Sequence, residues 1–332
     1  MTVIAGLGIH LPARRVSAEE IARASGIPAE VVRDKLGIVE KTAPGPDDHT
    51  NAMGIEAGRA ALRDAGIGAE EIDTLISITE EHKEYPVWTA GIQAAHALGA
   101  ERAFAFDVGQ KCGSAVLALK LAADMIRGNG ADTVLIAGGY RNADLVDYRD
   151  PAVRFLYNLA AGGGAALVRR GGPGFQILGA SFRTDGSFSE DVIVPVGGTL
   201  SPLSADNAHE YRLQVPDPAG MKARLDALSL DNFVAVIEEA CARSGATPRE
   251  AAHVALLHMK PAAHRVVLDR IGVPPERSIY LSHYGHIGQI DVLLSLKLAR
   301  DEGRLKPGDL CVLAAAGIGY VWNAICVRYL PA

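Results

Sequence analysis

The stretch LALKLA at residues 117–122 recurs as LSLKLA at 294–299, 177 positions later and with five of six residues identical. The flanking sequence repeats in the same order. TVLIAGG (133–139) is answered by CVLAAAG (311–317), and GAALVRR (164–170) by NAICVRY (323–329). Upstream, ALRDAGIGAEEIDTLISIT (61–79) resembles ACARSGATPREAAHVALLHM (240–259). Four matches in one order point to an internal duplication. Two similar halves are expected to pack about a pseudo-twofold axis, with a site at their junction.

In the first half, near-continuous apolar runs read as strands buried on both faces: TVIAGLGI (2–9), TLISIT (74–79), AFAFDV (103–108), TVLIAGG and GAALVRR. Between them, residues 52–67 and 114–130 carry apolar side chains at helical spacing, with Gly66, Gly128 and Gly130 as stop signals. The alternation is an α/β pattern. The expected halves are residues 1–172 and 173–332. The second includes a Pro-, Ser-, Asp- and Asn-rich loop at about 197–232, long enough to cap a pocket.

The N-terminal MTVIAGLGIHLP reads as a first strand rather than a signal peptide. No apolar run is long enough to predict a membrane span. With 33 Lys and Arg against 39 Asp and Glu, the chain lacks the basic footprint of a nucleic-acid binder. The four cysteines, Cys112, Cys241, Cys311 and Cys326, have neither zinc-site nor disulfide-framework spacing, so a reducing cytoplasm is expected. The histidines likewise show no metal-ligand spacing.

Cys112 lies in DVGQKCGSAVLALKLA (107–122), between a strand and a helix. A cysteine there faces the positive end of the helix, a setting that favours the thiolate, and Gly109 and Gly113 permit a tight turn. The alternative is an inert buried thiol. A nucleophilic thiolate needs an imidazole partner. His258 ends the predicted strand VALLH, and His286 sits in SHYGHIGQ, just before the second-half helix. The repeat offset maps Cys112 onto Gln289, so Cys112 and His286 occupy comparable strand-to-helix turns. Glu80, in SITEEHKEYP (77–86), is either part of a solvated charge run or a general base at the same junction.

These motifs resemble the thiolase superfamily, and within it the β-ketoacyl-acyl-carrier-protein synthase III-like enzymes. The resemblance spans nearly the whole chain. It rests on FDVGQKCGSAVLAL, AAGGGAALV (160–168), LLHMKP (256–261), YGHIGQ (284–289) and AAGIGYVWNAICVR (315–328). It implies a thiolase-like α/β fold of two βαβαβαββ-type halves in five layers, α-β-α-β-α, and a homodimer. It implies Cys112 as nucleophile, His258 and His286 as its partners, and the backbone N–H groups of Cys112 and Ile318 as an oxyanion hole. His286 replaces the usual Asn, as in the Cys-His-His elongating synthases. AAGGGAAL reads as close backbone packing, since it lacks the ending of a phosphate loop.

Several positions depart from the family. The CoA-stacking Trp falls near Val31, the arginine of GIR on Val39, and the helper Asn of HQAN on Pro261. Trp88 stands where a small residue is common; it either reshapes the acyl pocket or packs in the core. The implied activity is a ketosynthase III-like condensation. An acyl-Cys112 thioester would condense with a malonyl thioester, with loss of carbon dioxide, in fatty-acid or polyketide-type biosynthesis. Alternatives are acyl transfer to an oxygen or nitrogen nucleophile, a non-decarboxylative condensation like that of hydroxymethylglutaryl-CoA synthase using Glu80, or an inactive heterodimer partner. No cofactor is expected beyond CoA or phosphopantetheine thioester substrates. Partners would be acyl-CoA or an acidic acyl carrier protein, the latter docking on Lys260, Arg265, Arg270 or Arg277; the alternative for each of these is a solvated helix face.

Overall fold

The computed structural model describes residues 1–331. Its elements run β1 (Thr2–His10), β2 (Arg15–Ser17), α1 (Ala18–Ser25), α2 (Ala29–Asp34), β3 (Glu40–Thr42) and α3 (Thr50–Ala65). Then come β4 (Thr74–Ser77), α4 (Ala90–Leu98), β5 (Phe104–Asp107), α5 (Ser114–Arg127), β6 (Thr133–Tyr140) and β7 (Gly162–Arg170). The second half has β8 (Gly174–Thr184), α6 (Pro218–Arg243), β9 (Ala251–Leu256), α7 (Pro261–Ile271), α8 (Asp291–Asp301), β10 (Leu310–Gly317) and β11 (Val321–Leu330). Every strand expected in the first half forms. Gly66 closes α3 in the left-handed conformation, where its lack of a Cβ removes the steric penalty.

The main sheet has the order β5-β4-β6-β7-β1-β8-β11-β10-β9, a palindrome about the β1–β8 junction. Outward from that junction each half runs first strand, last, next to last, second, and the first half adds β5 at its edge. The duplication therefore appears as topology. Parallel pairing joins β4 to β5 and β6, and β9 to β10, while β1, β7, β8 and β11 pair antiparallel. Within the sheet the halves join through two residue pairs of β1 and β8, Val3 with Gln176 and Ile4 with Phe175. Helices α5 and α8 pack against strands from both halves. Helices α3 and α4 cover the first-half strands, and α6 the second-half strands, with α7 packed on α6. This gives the layers α-β-α-β-α, with α5 and α8 in the middle.

The glycine run in β7 explains how closely these layers approach. A Cβ on Gly163 would lie 2.0 Å from the Met53 carbonyl oxygen of α3, and one on Gly164 would lie 2.7 Å from Ile290. Only glycine lets α3 and the turn before α8 close on the strand from opposite faces.

Two expectations need correction. The loop expected over 197–232 ends earlier, because α6 starts at Pro218: Asp217 accepts the Gly220 N–H, and Pro at the first helical position is preset for helix. Second, the halves are not full copies. Where the first half has edge strand β5, the second has Ser278–Ser282, which forms no strand. Ser282 instead accepts backbone hydrogen bonds from Val39 and Glu40.

Candidate active site

Cys112 sits on a single 3₁₀ turn, Lys111–Gly113, that opens into α5. The equivalent turn of the second half, Gly288–Ile290, opens into α8, and the two turns are in contact. The duplication thus delivers Cys112 and the segment after His286 to one place.

The nucleophile turn is tightly laced. Ser114 Oγ accepts the Gln110 N–H at 2.8 Å and donates to the Lys111 carbonyl at 2.7 Å. Asn323 Nδ2 donates to the Gly113 carbonyl and to Gln110 Oε1, both at 3.0 Å. Lys111 adopts φ +50°, a costly conformation for a non-glycine residue and one that tends to occur at functional turns. The link between β10 and β11 passes over this turn: a Cβ on Gly317 would lie 3.1 Å from the Cys112 nitrogen. This brings Gly317, the residue before Ile318, against the Cys112 backbone.

The Cys112 thiol lies 3.2 Å from His286 Nε2. On the other side of the ring, Nδ1–H donates to Asp291 Oδ2 at 2.5 Å. Asp291 is fully buried as the first residue of α8, where the helix dipole favours its charge. Its oxygens also accept the His258 N–H and the Ile287 N–H, each at 2.7 Å. Burial works against a charged His286, yet the Asp291 carboxylate and the Cys112 sulfur hold its pKa well above the ordinary imidazole value. Thiol, imidazole and carboxylate form a relay in which His286 can take a proton from sulfur and return it.

His258 is arranged differently. Asn158 Nδ2 donates to its Nδ1 at 2.9 Å, so Nε2 carries the proton and donates to the Gly37 carbonyl at 3.2 Å. Burial holds this ring down to about 4, so it is neutral. His258 thus presents a donor, whereas His286 presents a base.

Glu80 is buried, with its carboxylate 3.5 Å from the Lys111 ammonium, which also pairs with Glu81. Burial pulls the Lys111 pKa down, but Glu80 and Glu81 raise it by more. Glu80 is therefore not part of a solvated charge run; it is buried in this ion pair. Trp88 is half-buried in the loop before α4, with its ring edge-on to Tyr85 at 5.6 Å. Pro261 opens α7, with Lys260 at its N-cap.

The basic residues do not form one patch. Arg277 bonds to the carbonyls of Arg249 and Ala251 at the start of β9, and Arg270 pairs with Asp231. Lys260 lies beyond the other end of β9, at the start of α7, one turn from Arg265. Only Lys260 and Arg265 flank the His258 end.

Sequence reasoning missed Asp291 and Asn158. Residues 106–186 match the model of the family described as 3-oxoacyl-[acyl-carrier-protein] synthase III, and residues 241–329 match the model of its C-terminal part. The β-ketoacyl-[acyl-carrier-protein] synthase III of Rhizorhabdus wittichii is 29% identical over 333 residues, spanning 98% of this chain and 99% of that protein. The chain belongs to the synthase III family of the thiolase superfamily.

Solved structures agree on the thiolase-like fold. The synthase III of Aquifex aeolicus gives a TM-score of 0.85 at 24% identity, covering 99% of this chain and 100% of that one. The priming β-ketosynthase of the R1128 polyketide pathway gives 0.87 at 24% identity, covering 100% and 96%. The protein is accordingly a synthase III-like acyltransferase of the condensing-enzyme type. Among the described residues, no helix is long and apolar enough to cross a membrane.

Three buried histidines carry a consequence for stability. Burial holds His253, His258 and His264 each down to about 4. The unfolded chain, with ordinary values near 6.5, binds more protons between these limits. Their contribution is therefore complete above pH ~6.5 and is lost as pH falls toward ~4, on the order of 3 kcal/mol per ring. The melting temperature is expected to drop clearly between pH 7 and pH 5. A flat profile over that range would contradict neutral burial.

Proposed function

We propose that the protein takes an acyl group from a CoA or phosphopantetheine thioester onto Cys112 and condenses it with a malonyl thioester. The observation that carries this reading is the thiol 3.2 Å from His286, with Asp291 behind the ring. The Cys112 sulfur attacks the donor carbonyl, and the backbone N–H groups of Cys112 and Ile318 receive the oxyanion. The donor thiolate leaves with the proton that His286 removed from Cys112. A malonyl thioester then loses carbon dioxide by breaking its C–C bond. The enolate carbon attacks the acyl carbonyl, and the Cys112 thiolate leaves. His258 Nε2–H, which now faces Gly37, would exchange that acceptor for the malonyl thioester carbonyl. Trp88 would shape the acyl pocket from its loop.

One observation favours a second reading. Asp291 fixes the proton on His286 Nδ1, so the neutral ring offers Nε2 as a base. Such a ring suits removing a proton from an O–H or N–H acceptor that attacks acyl-Cys112 without decarboxylation. His286 rather than Glu80 is then the base, because Lys111 holds the Glu80 carboxylate. The test is to give the acyl-enzyme carbon-labelled malonyl thioester. Labelled carbon dioxide with a β-keto product supports condensation, whereas malonyl thioester left intact while alcohols or amines are acylated supports transfer.

We further infer a cytoplasmic homodimer whose chains divide at the β7–β8 turn into halves 1–172 and 173–332. Strand β5 is a sheet edge with open backbone groups, and Phe104, Tyr85 and Ile92 are each more than half exposed. An apolar open edge favours pairing with a second copy. Phe104→Asp is expected to convert a dimer into a monomer in light scattering. A wild-type monomer at micromolar concentration, or a dimeric variant, would contradict the edge as the interface.

A further inference from the structure

Lys41 is the largest charged side chain sealed inside the protein, 1% exposed, and the relay does not use it. Its ammonium donates to the Tyr157 carbonyl at 2.8 Å and to the Leu159 carbonyl, and lies 5.2 Å from the centre of the Tyr148 ring. Burial alone pulls it down to about 7, with no carboxylate opposing the shift.

The two carbonyls flank Asn158. Tyr157 and Asn158 close a turn, and Leu159 forms a parallel bridge with His286. The carbonyls of Tyr157, Leu159 and Ala161 all face the Lys41–Thr42 pair. Lys41 satisfies the first two, and the Thr42 hydroxyl donates to the third at 2.5 Å. The groups between them serve the active site. The Asn158 carbonyl accepts the His286 N–H at 2.8 Å, and the Ala160 N–H donates to the His286 carbonyl at 2.9 Å. The Asn158 side chain meanwhile donates to His258 Nδ1. Gly285 completes the fit: a Cβ there would lie 2.7 Å from both the Asn158 carbonyl oxygen and the Lys41 Cβ.

We propose that Lys41 is a positioning residue for both active-site imidazoles. Its ammonium supplies the donors that no backbone N–H gives to the Tyr157 and Leu159 carbonyls. By fixing the 157–158 and 159–160 peptide planes, it sets the backbone of His286 and the tautomer of His258. It touches neither substrate nor thiol. An isolated cation is retained in the core because it satisfies two carbonyls that no backbone N–H can reach.

The inference rests on acyl transfer through Cys112 only for its kinetic readout. In ¹⁵N-histidine spectra, wild-type His258 is expected as the Nε2–H tautomer; an Nδ1–H signature would overturn the proposal without any variant. Lys41→Met is expected to lose or mix that tautomer. It should also slow acylation of Cys112 by up to about 100-fold, the scale of an ångström-level misplacement, with little change in KM. Lys41→Arg should restore part of both. A folded Lys41→Met protein with wild-type tautomer and wild-type acylation rate would overturn the proposal. If that variant does not fold, Lys41→Gln, which keeps an N–H toward the carbonyls, is judged by the same two readouts. If wild type is not acylated at all, the functional reading fails, and the histidine spectra still decide the role of Lys41.

Discussion

Asp291→Asn is expected to slow acylation of Cys112 by roughly 10³- to 10⁴-fold, the scale seen when the orienting carboxylate of a nucleophile–histidine relay is made an amide. The carboxylate accepts three hydrogen bonds, from His286 Nδ1 and the backbone N–H groups of His258 and Ile287. An amide can keep its oxygen in the Oδ1 place on the Ile287 N–H, which puts its NH₂ group in the Oδ2 place against the His258 N–H. Its NH₂ group then meets His286 Nδ1 and forces the proton onto Nε2. That tautomer faces the thiol with a donor where a base is required. The high pKa of His286 depends on the same carboxylate, so the variant should also move the acidic limb of the acylation rate toward ordinary imidazole values. Stopped-flow release of the donor thiol across pH 5 to 9 reads both effects. An unchanged rate would remove Asp291 from the relay.

His286→Asn is the second variant with a large expected effect. It installs the asparagine that the family resemblance implies at this position. An amide can donate to a thioester carbonyl but cannot take the thiol proton. Loss of a general base costs about 10²- to 10⁴-fold, so acylation should fall by that order. Any decarboxylation of malonyl thioester on preloaded enzyme should fall less, because hydrogen-bond donation survives. The difference between the two losses separates the base role of His286 from its donor role. Equal losses in both steps would contradict the assignment of His286 as the base for Cys112.

Much of this arrangement was legible in the sequence because duplication supplies long-range information. The repeat offset placed Cys112 opposite Gln289 and put His286 just before the matching turn, and the two turns do meet. Asp291 escaped notice because the repeat maps it onto Ser114, which holds the nucleophile turn rather than a histidine. The signal was an acidic residue opening the apolar run DVLLSLKLA five positions after His286. A carboxylate at that point of a buried helix needs a partner. Asn158 and Lys41 lie in segments with no periodicity, and their partners are 100 and 116 or more residues away. Tertiary contacts alone define them. Lys41 also sits beside Glu40 in a stretch whose charge suggests a surface. The loop before α6 is shorter than its polar composition suggests, because Asp217 and Pro218 start the helix within it.

The central claim is a covalent acyl group on Cys112 held by the Cys112–His286–Asp291 relay. Intact-mass spectrometry after incubation with a panel of acyl-CoA and acyl-carrier thioesters tests it most directly. Wild type is expected to gain a single acyl mass, mapped to Cys112, and Cys112→Ala none. An adduct that persists in Cys112→Ala, or no adduct from any donor on wild type, would contradict it.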